Sequence, residues 1–349
     1  MVRIAYATRE RVKRALDSAQ TARTDAQVDT AILAATDSIN GRCHRTFYPE
    51  YKTVAFDWPN RVQRARSWRL RLDANEIIDV ATFTSGGVDI PVHDLLLYPN
   101  SGPPFNRIEI SLASSSALSA GNTYQQSAVI TGLYGYANEE AAAGVLDAAV
   151  VSTTETSIAV SDSAAIGIGQ LIRIGAERMV VTGKRALSTG QTVQVDLAAQ
   201  DNATTVTVVD GSSFAIGEVI LVGAERMLIL DVAGNTLIVK RRWDGTVLAA
   251  HTTGATVYAP RTLIVERGVL GTTTAAHSTA SPVVRWEPPP LIEALAVAEA
   301  LVRLGCEQAG YATSTRAGES ARSVTLTIDD LREQVEESRL TRKARTRAV

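Results

Sequence analysis

The chain has 349 residues, 45% of them hydrophobic and 21% charged, the composition of a folded globular protein with room for about two domains. Its 35 lysines and arginines are balanced by 37 acids and only 5% of residues are aromatic, which argues against a globally basic nucleic-acid binder and against a base-stacking platform. Two cysteines, Cys43 and Cys306, make neither a disulfide framework nor a cysteine-rich zinc site, and no apolar run approaches the ~20 residues that span a bilayer.

In chain order, the first ten residues lack the apolar middle of a signal peptide, so a protein that is cytosolic when made is expected. Residues 8–20 predict an amphipathic helix with Val12, Ala15, Leu16 and Ala19 on one face. A better-marked helix follows. Thr24-Asp25-Ala26-Gln27 is a capping box, Val28, Ile32, Ala35 and Ile39 recur at helical spacing, and Gly41 provides a stop. The period then changes to two: 52–57, 67–72, 77–84, 107–112 and 128–136 predict strands, with a turn cluster at 98–104. Residues 137–149, rich in Ala and Glu, fit a short helix or a linker.

An internal duplication follows. Residues 158–181 and 206–229 match at an offset of 48, and Gly175-Ala176-Glu177-Arg178-Met179 recurs letter for letter as Gly223-Ala224-Glu225-Arg226-Met227. A second pair matches at an offset of 26: Thr236-Leu237-Ile238-Val239, Arg241, Gly245-Thr246 and Ala249-Ala250-His251 against Thr262-Leu263-Ile264-Val265, Arg267, Gly271-Thr272 and Ala275-Ala276-His277. The order first, first, second, second implies one unit, 205–259, nested inside another made of 157–182 and 262–286. Each first half predicts a hairpin turning at Gly-Ala, and each second half a strand leading to a loop. A third helix opens at Glu287-Pro288-Pro289-Pro290, with Leu291, Leu295, Ala298 and Val302 as its stripe. The last begins near Thr327, with Asp329 and Asp330 in its first turn and Leu331 and Val335 as its apolar contacts.

The residues that invite a chemical reading have plainer ones. His251 and His277 hold equivalent places in the two copies, which suits loop residues bonding their own turns better than metal ligands. Glu177 and Glu225 fit solvated positions in tight turns, and Cys43 beside His44 fits a small buried hydrophobe. No nucleophile elbow, zinc-protease or phosphate-loop motif is present, so neither catalysis nor a cofactor is expected. Arg61, Arg64, Arg66, Arg69 and Arg71 crowd around Trp58 and Trp68; a solvated strand face and a contact with a phosphate backbone or acidic neighbour are equally compatible with them. Arg339, Arg342, Lys343, Arg345 and Arg347 form a basic end with no acid among them, the pattern of an arm that orders on a partner.

Helix 25–41 running into Arg42-Cys43-His44-Arg45-Thr46-Phe47-Tyr48 is similar to the head-to-tail connector (adaptor) proteins of long-tailed double-stranded DNA bacteriophages. So are Leu95-Leu96-Leu97-Tyr98-Pro99 ahead of Pro104, Val129-Ile130-Thr131-Gly132-Leu133-Tyr134-Gly135-Tyr136, and the Trp286-Glu287-Pro288-Pro289-Pro290 helix entry. The duplicated hairpin resembles β modules of phage virion proteins, although its doubling departs from the connector pattern over 150–286. The resemblance implies a homo-oligomeric ring of twelve subunits at the head-to-tail junction of the virion. The portal would lie above it, a tail-side stopper protein below, and double-stranded DNA would pass through its channel without sequence reading. It also implies that the C-terminal segment, with Leu331, Val335 and the basic end, reaches the portal. The expected fold is α+β: a helical layer from both ends of the chain (1–149 with its own β region, and 287–349) and the nested all-β pair inserted as 150–286. The competing reading is a host-surface or carbohydrate-binding virion protein whose module loops carry Trp243, Phe214 and Tyr258; a virion hydrolase has no motif to support it.

Overall fold

The structure, a computed structural model, describes residues 4–16, 24–58, 68–308 and 319–341. Helix α1 (Arg9–Ala15) starts where Thr8 Oγ1 accepts the Arg11 amide. Helix α2 (Asp25–Cys43) opens on the expected capping box: the Gln27 amide donates to Thr24 Oγ1 (3.3 Å) and the Thr24 amide to Gln27 Oε1 (3.1 Å). Strands β1 (Glu50–Phe56), β2 (Arg69–Arg71), β3 (Ile77–Ser85), β4 (Val88–Ile90), β5 (Leu95–Tyr98), β6 (Arg107–Ile110) and β7 (Ala128–Tyr134) follow. Next come β8 (Glu140–Val145), β9 (Ser157–Ala159), β10 (Leu171–Ile174), β11 (Glu177–Thr192), β12 (Thr205–Thr207), β13 (Val219–Val222) and β14 (Glu225–Ala233). Strands β15 (Thr236–Lys240), β16 (Thr256–Glu266) and β17 (Pro282–Trp286) precede helices α3 (Pro290–Gln308) and α4 (Glu319–Glu337). The fold is mixed α+β and dominated by antiparallel strands. No helix among the described residues is long and apolar enough to cross a membrane.

The chain forms two compact units: Met1–Ile39 with Glu140–Val269 and Thr273–Glu337, and Asn40–Glu139 with Leu270–Thr272 and Ser338–Val349. Residues 140–145 go with the first unit because they are a strand, β8, that pairs with β17. The Ala-rich composition of 137–149 favours a helix, but cross-strand pairing overrides that weak propensity.

The second unit stacks a four-stranded sheet, β1-β7-β3-β4, with a three-stranded one, β2-β6-β5. Residues Phe56, Leu70, Ile77, Phe83, Ile108 and Ile130 are among those in its core. Alternation along β7 buries Ala128, Ile130 and Tyr134, while Gly132 lets the Asp79 carbonyl approach where a Cβ would stand 2.3 Å away.

The first unit holds two small barrels. In one, pairing runs β8-β17-β10-β11-β16-β9, and a bridge between Leu146 and Val160 closes the ring. Two chain segments, 140–185 and 262–286, build it, and we call it the split barrel. The continuous barrel, 187–260, repeats the pattern: the end of β11 pairs with the start of β16, then β13, β14, β15 and β12 follow, and Val193 bridges Val208. Separate apolar cores fill them, with Ile172, Met179 and Leu263 in the first and Ile220, Met227 and Leu237 in the second. Strands 157–159 and 177–185 thus pair with 262–266, and 205–207 and 225–233 with 236–240. Each barrel also takes in a lead-in strand, so the units begin near 140 and 187 rather than at 157 and 205.

Among the helices, Val28, Ile32, Ala35 and Ile39 of α2 are buried as their spacing requires. Val12 of α1 is buried, Ala15 is exposed, and Ala19 lies outside the described residues. In α3 the buried line is Ile292, Leu295, Ala296, Glu299, Ala300 and Leu304; of the expected stripe only Leu295 belongs to it, and Leu291, Ala298 and Val302 are half-buried. The helix is apolar on most sides, so spacing alone does not fix its phase. Helix α4 starts at Glu319, ahead of Thr327, which moves Asp329 and Asp330 into its middle.

Candidate functional site

The duplicated Gly-Ala-Glu-Arg turn puts a carboxylate at the same place in both barrels, and both carboxylates are buried, not solvated. Glu225 Oε1 accepts from Arg241 Nε (2.8 Å) and the Arg242 amide (3.1 Å). Its Oε2 accepts from Arg241 Nη2 (2.7 Å), the Ala249 amide (3.1 Å) and His251 Nε2 (2.9 Å). Glu177 repeats the set: Oε1 takes Arg267 Nε (2.9 Å) and the Gly268 amide (3.2 Å), and Oε2 takes Arg267 Nη2 (2.6 Å), the Ala275 amide (3.0 Å) and His277 Nε2 (2.8 Å). The arginines then donate onward to carbonyls, Arg241 to Ala198, Ala203 and Ala249, and Arg267 to Ser152, Glu155 and Ala275.

Burial alone would push both carboxyls up. The hydrogen bonds from arginine, histidine and backbone amides outweigh it, holding Glu225 at about 2 and Glu177 below the usual carboxylate range. A carboxylate offers about four lone-pair positions, and here five donors share them. Such a group has no capacity left to take a substrate proton or a metal. It is a staple between the hairpin turn and the loop that ends at the histidine. The histidines therefore bond the other half's turn rather than their own.

Of the arginine cluster, Arg61, Arg64 and Arg66 lie outside the described residues. Arg69 pairs with Glu109 (2.7 Å), which also meets Arg107 (3.2 Å), while Arg107 stacks over Tyr98 at 4.4 Å. Arg71 is half-buried and partnered. Within this sheet Arg69 and Arg107 thus share a single carboxylate, Glu109. At the other candidate surface Val335 is fully buried, Leu331 half-buried and Arg339 exposed; Arg342, Lys343, Arg345 and Arg347 lie outside the described residues. Trp243 and Phe214, candidates for exposed ligand-binding aromatics, are buried at 5% and 7%, and only Tyr258 is exposed.

A cleft of about 610 Å³ opens between α2, α3 and α4, lined by small or apolar side chains such as Ala26, Ala31, Ala34 and Val302 and by the charged Glu299, Arg303, Glu307 and Arg332. At its wall Glu299, buried, accepts Arg332 Nε (3.2 Å), with Arg303 3.7 Å from its other oxygen. Spacing could have flagged the cleft through Ala26, Thr30 and Ala34 at i, i+4 and i+8 on α2, a stripe too small to fill a helix–helix contact.

No family model, curated protein or solved structure matches the chain.

Proposed function

We propose that this chain is a structural virion protein, one subunit of a head-to-tail adaptor ring through which a phage genome is packaged and ejected. The observation that carries the reading is the cleft between α2, α3 and α4, whose floor of small side chains (Ala26, Ala31, Ala34) and charged rim (Arg303, Glu307, Arg332) suit a polar-edged helix of the neighbouring subunit. The saturated carboxylates fit the same reading, since the most conspicuous polar clusters are built to hold the fold. Helix α4 leads into the basic end, which in a ring would be displayed in many copies toward the portal. We further infer that the continuous barrel arose as a copy of the split barrel inserted into it, since the polar staple and lead-in strand recur in both. Host-surface binding by the barrels has lost two of its three aromatic cues to burial.

Negative-stain imaging of the purified protein, alone and with a portal, tests the proposal. Rings with a central hole are the expected result. A monomer that binds glycans would replace it with the host-surface reading.

A further inference from the structure

The split barrel has a docked segment, and the continuous barrel has the same loop with Ile216 uncovered and the Arg14 guanidinium against Gly217. In the split barrel the loop Gly167-Ile168-Gly169 receives the residues leading into α1: the Ala5 amide donates to the Gly169 carbonyl (3.3 Å) and the Arg9 amide to the Ile168 carbonyl (3.2 Å). The Ile168 amide donates to Glu10 Oε2 (2.8 Å), and Lys184 Nζ pairs with Glu10 Oε1 (3.1 Å). The docked feature is thus an extended stretch that turns into a helix with a glutamate in its first turn.

In the continuous barrel the equivalent loop is Ala215-Ile216-Gly217. Its backbone is the same: Gly169 and Gly217 have φ of 92° and 86°, and each donates to the hairpin strand behind it, to Val181 (2.8 Å) and Ile229 (2.9 Å). Yet Ile216 is 62% exposed, and neither its amide nor its carbonyl has a hydrogen-bond partner among the described residues. Leu230, next to Ile229, is 51% exposed, where the split barrel has Thr182. Arg14 donates to the Gly217 carbonyl (3.4 Å) and makes no ion pair within 4 Å among the described residues, Glu10 acting on it only at longer range, so its guanidinium is the cation beside this loop. One difference sets a requirement: Gly167 leaves room for the Thr8 side chain, and Ala215 does not.

We propose that the Ile216 loop is a docking site for a segment of another protein, an extended stretch entering a helix with glycine at its N-cap and an acid two residues later. The amide of Ile216 and the Arg14 guanidinium would hold the acid, the Ile216 carbonyl would take a first-turn amide, and Ile216 and Leu230 would be covered by the segment's apolar residues. Glycine is an acceptable N-cap and avoids the Ala215 methyl. This inference does not rest on the adaptor reading and would stand if no ring formed.

The probe is a fluorescein-labelled peptide, Ile-Ala-Tyr-Ala-Gly-Ala-Glu-Ala-Val-Ala-Glu-Ala-Leu, titrated into the intact chain by anisotropy, with hydrogen exchange locating the contact. Saturable binding with protection over residues 214–231 is expected. Exchanging the first glutamate of the peptide for glutamine, or Arg14→Ala in the protein, should weaken it about tenfold. Ile216→Asp, at an exposed position, should abolish it. No binding at millimolar peptide, equal binding by the Ile216→Asp chain, or protection at 167–170 instead would each overturn the proposal.

Discussion

Replacing Glu225 by glutamine tests the staple directly. Glu225→Gln keeps the shape but turns one acceptor oxygen into a donor facing other donors. It also removes the counter-charge of Arg241, whose side chain is only 2% exposed. Breaking a buried pair from one side costs about 3–5 kcal/mol, because the remaining charge stays buried. The lowered carboxyl, about 2 in the fold against 4.5 ordinarily, reflects the same contacts and corresponds to a loss on the order of 3 kcal/mol. Against a typical total of ~5–15 kcal/mol, either value is a large share. Urea unfolding monitored by hydrogen exchange at Leu237 and Val239, both in the continuous core, reads it out. The double variant Glu225→Leu with Arg241→Met removes the orphaned charge but leaves the Arg242 and Ala249 amides, His251 and the carbonyls of Ala198 and Ala203 without their partners, so it should recover only part of the loss. A loss below about 1 kcal/mol for Glu225→Gln would refute the staple. The pH dependence has a fixed sign. The folded carboxyl holds its proton less tightly than the unfolded one, so its stabilisation is complete above about pH 4.5 and drains away as the pH falls toward about 2.

Gly132→Ala should destabilise the unit containing 40–139 by about 1–3 kcal/mol, seen as a lowered Tm, because the new methyl meets the Asp79 carbonyl at 2.3 Å. Replacing residues 186–261 with Asn-Gly should leave the split barrel folded, since Arg185 already pairs with Thr262 there; loss of the β signal of 140–185 would show that the two barrels fold only together. On the adaptor reading, removing 339–349 should spare ring formation and weaken portal association in a salt-sensitive way, measured by co-sedimentation; unchanged portal binding with lost affinity for duplex DNA would favour a DNA-binding arm.

Much of the strand pairing was legible because the offsets of 48 and 26 compare the chain with itself, and a repeated segment must pair with the counterpart of its partner. The capping box Thr24–Gln27 was legible because both its bonds are local. What escaped was non-local. Strand β8 is Ala-rich and becomes a strand only through β17, far along the chain. The glutamates looked like solvated turn residues because the arginine and histidine that bury them come from other segments, 16 and 26 residues on for Glu225, 90 and 100 on for Glu177. Repetition of Glu, Arg and His in step across the two copies is the signal that marks them as one cluster.

That difference in separation also orders the folding of the barrels. Closing a staple across 90 residues instead of 16 costs about 1.5 kcal/mol more in loop entropy, with all else equal in the two sites. The continuous barrel can remove this handicap. Once it forms, Leu187 and Ala259 are paired, and the 90-residue loop of the split barrel is bridged at its neck. Glu177 and Arg267 then lie only a short distance along the ladder from strands already side by side. The continuous barrel should therefore fold first and template the split one. Pulse-labelled hydrogen exchange during refolding should protect Leu237 and Val239 before Leu263 and Val265. In the Glu225→Gln chain the delay should extend to the split barrel, whose own staple is intact. Simultaneous protection of both cores, or a split barrel that refolds at its normal rate while the continuous one is impaired, would contradict this order.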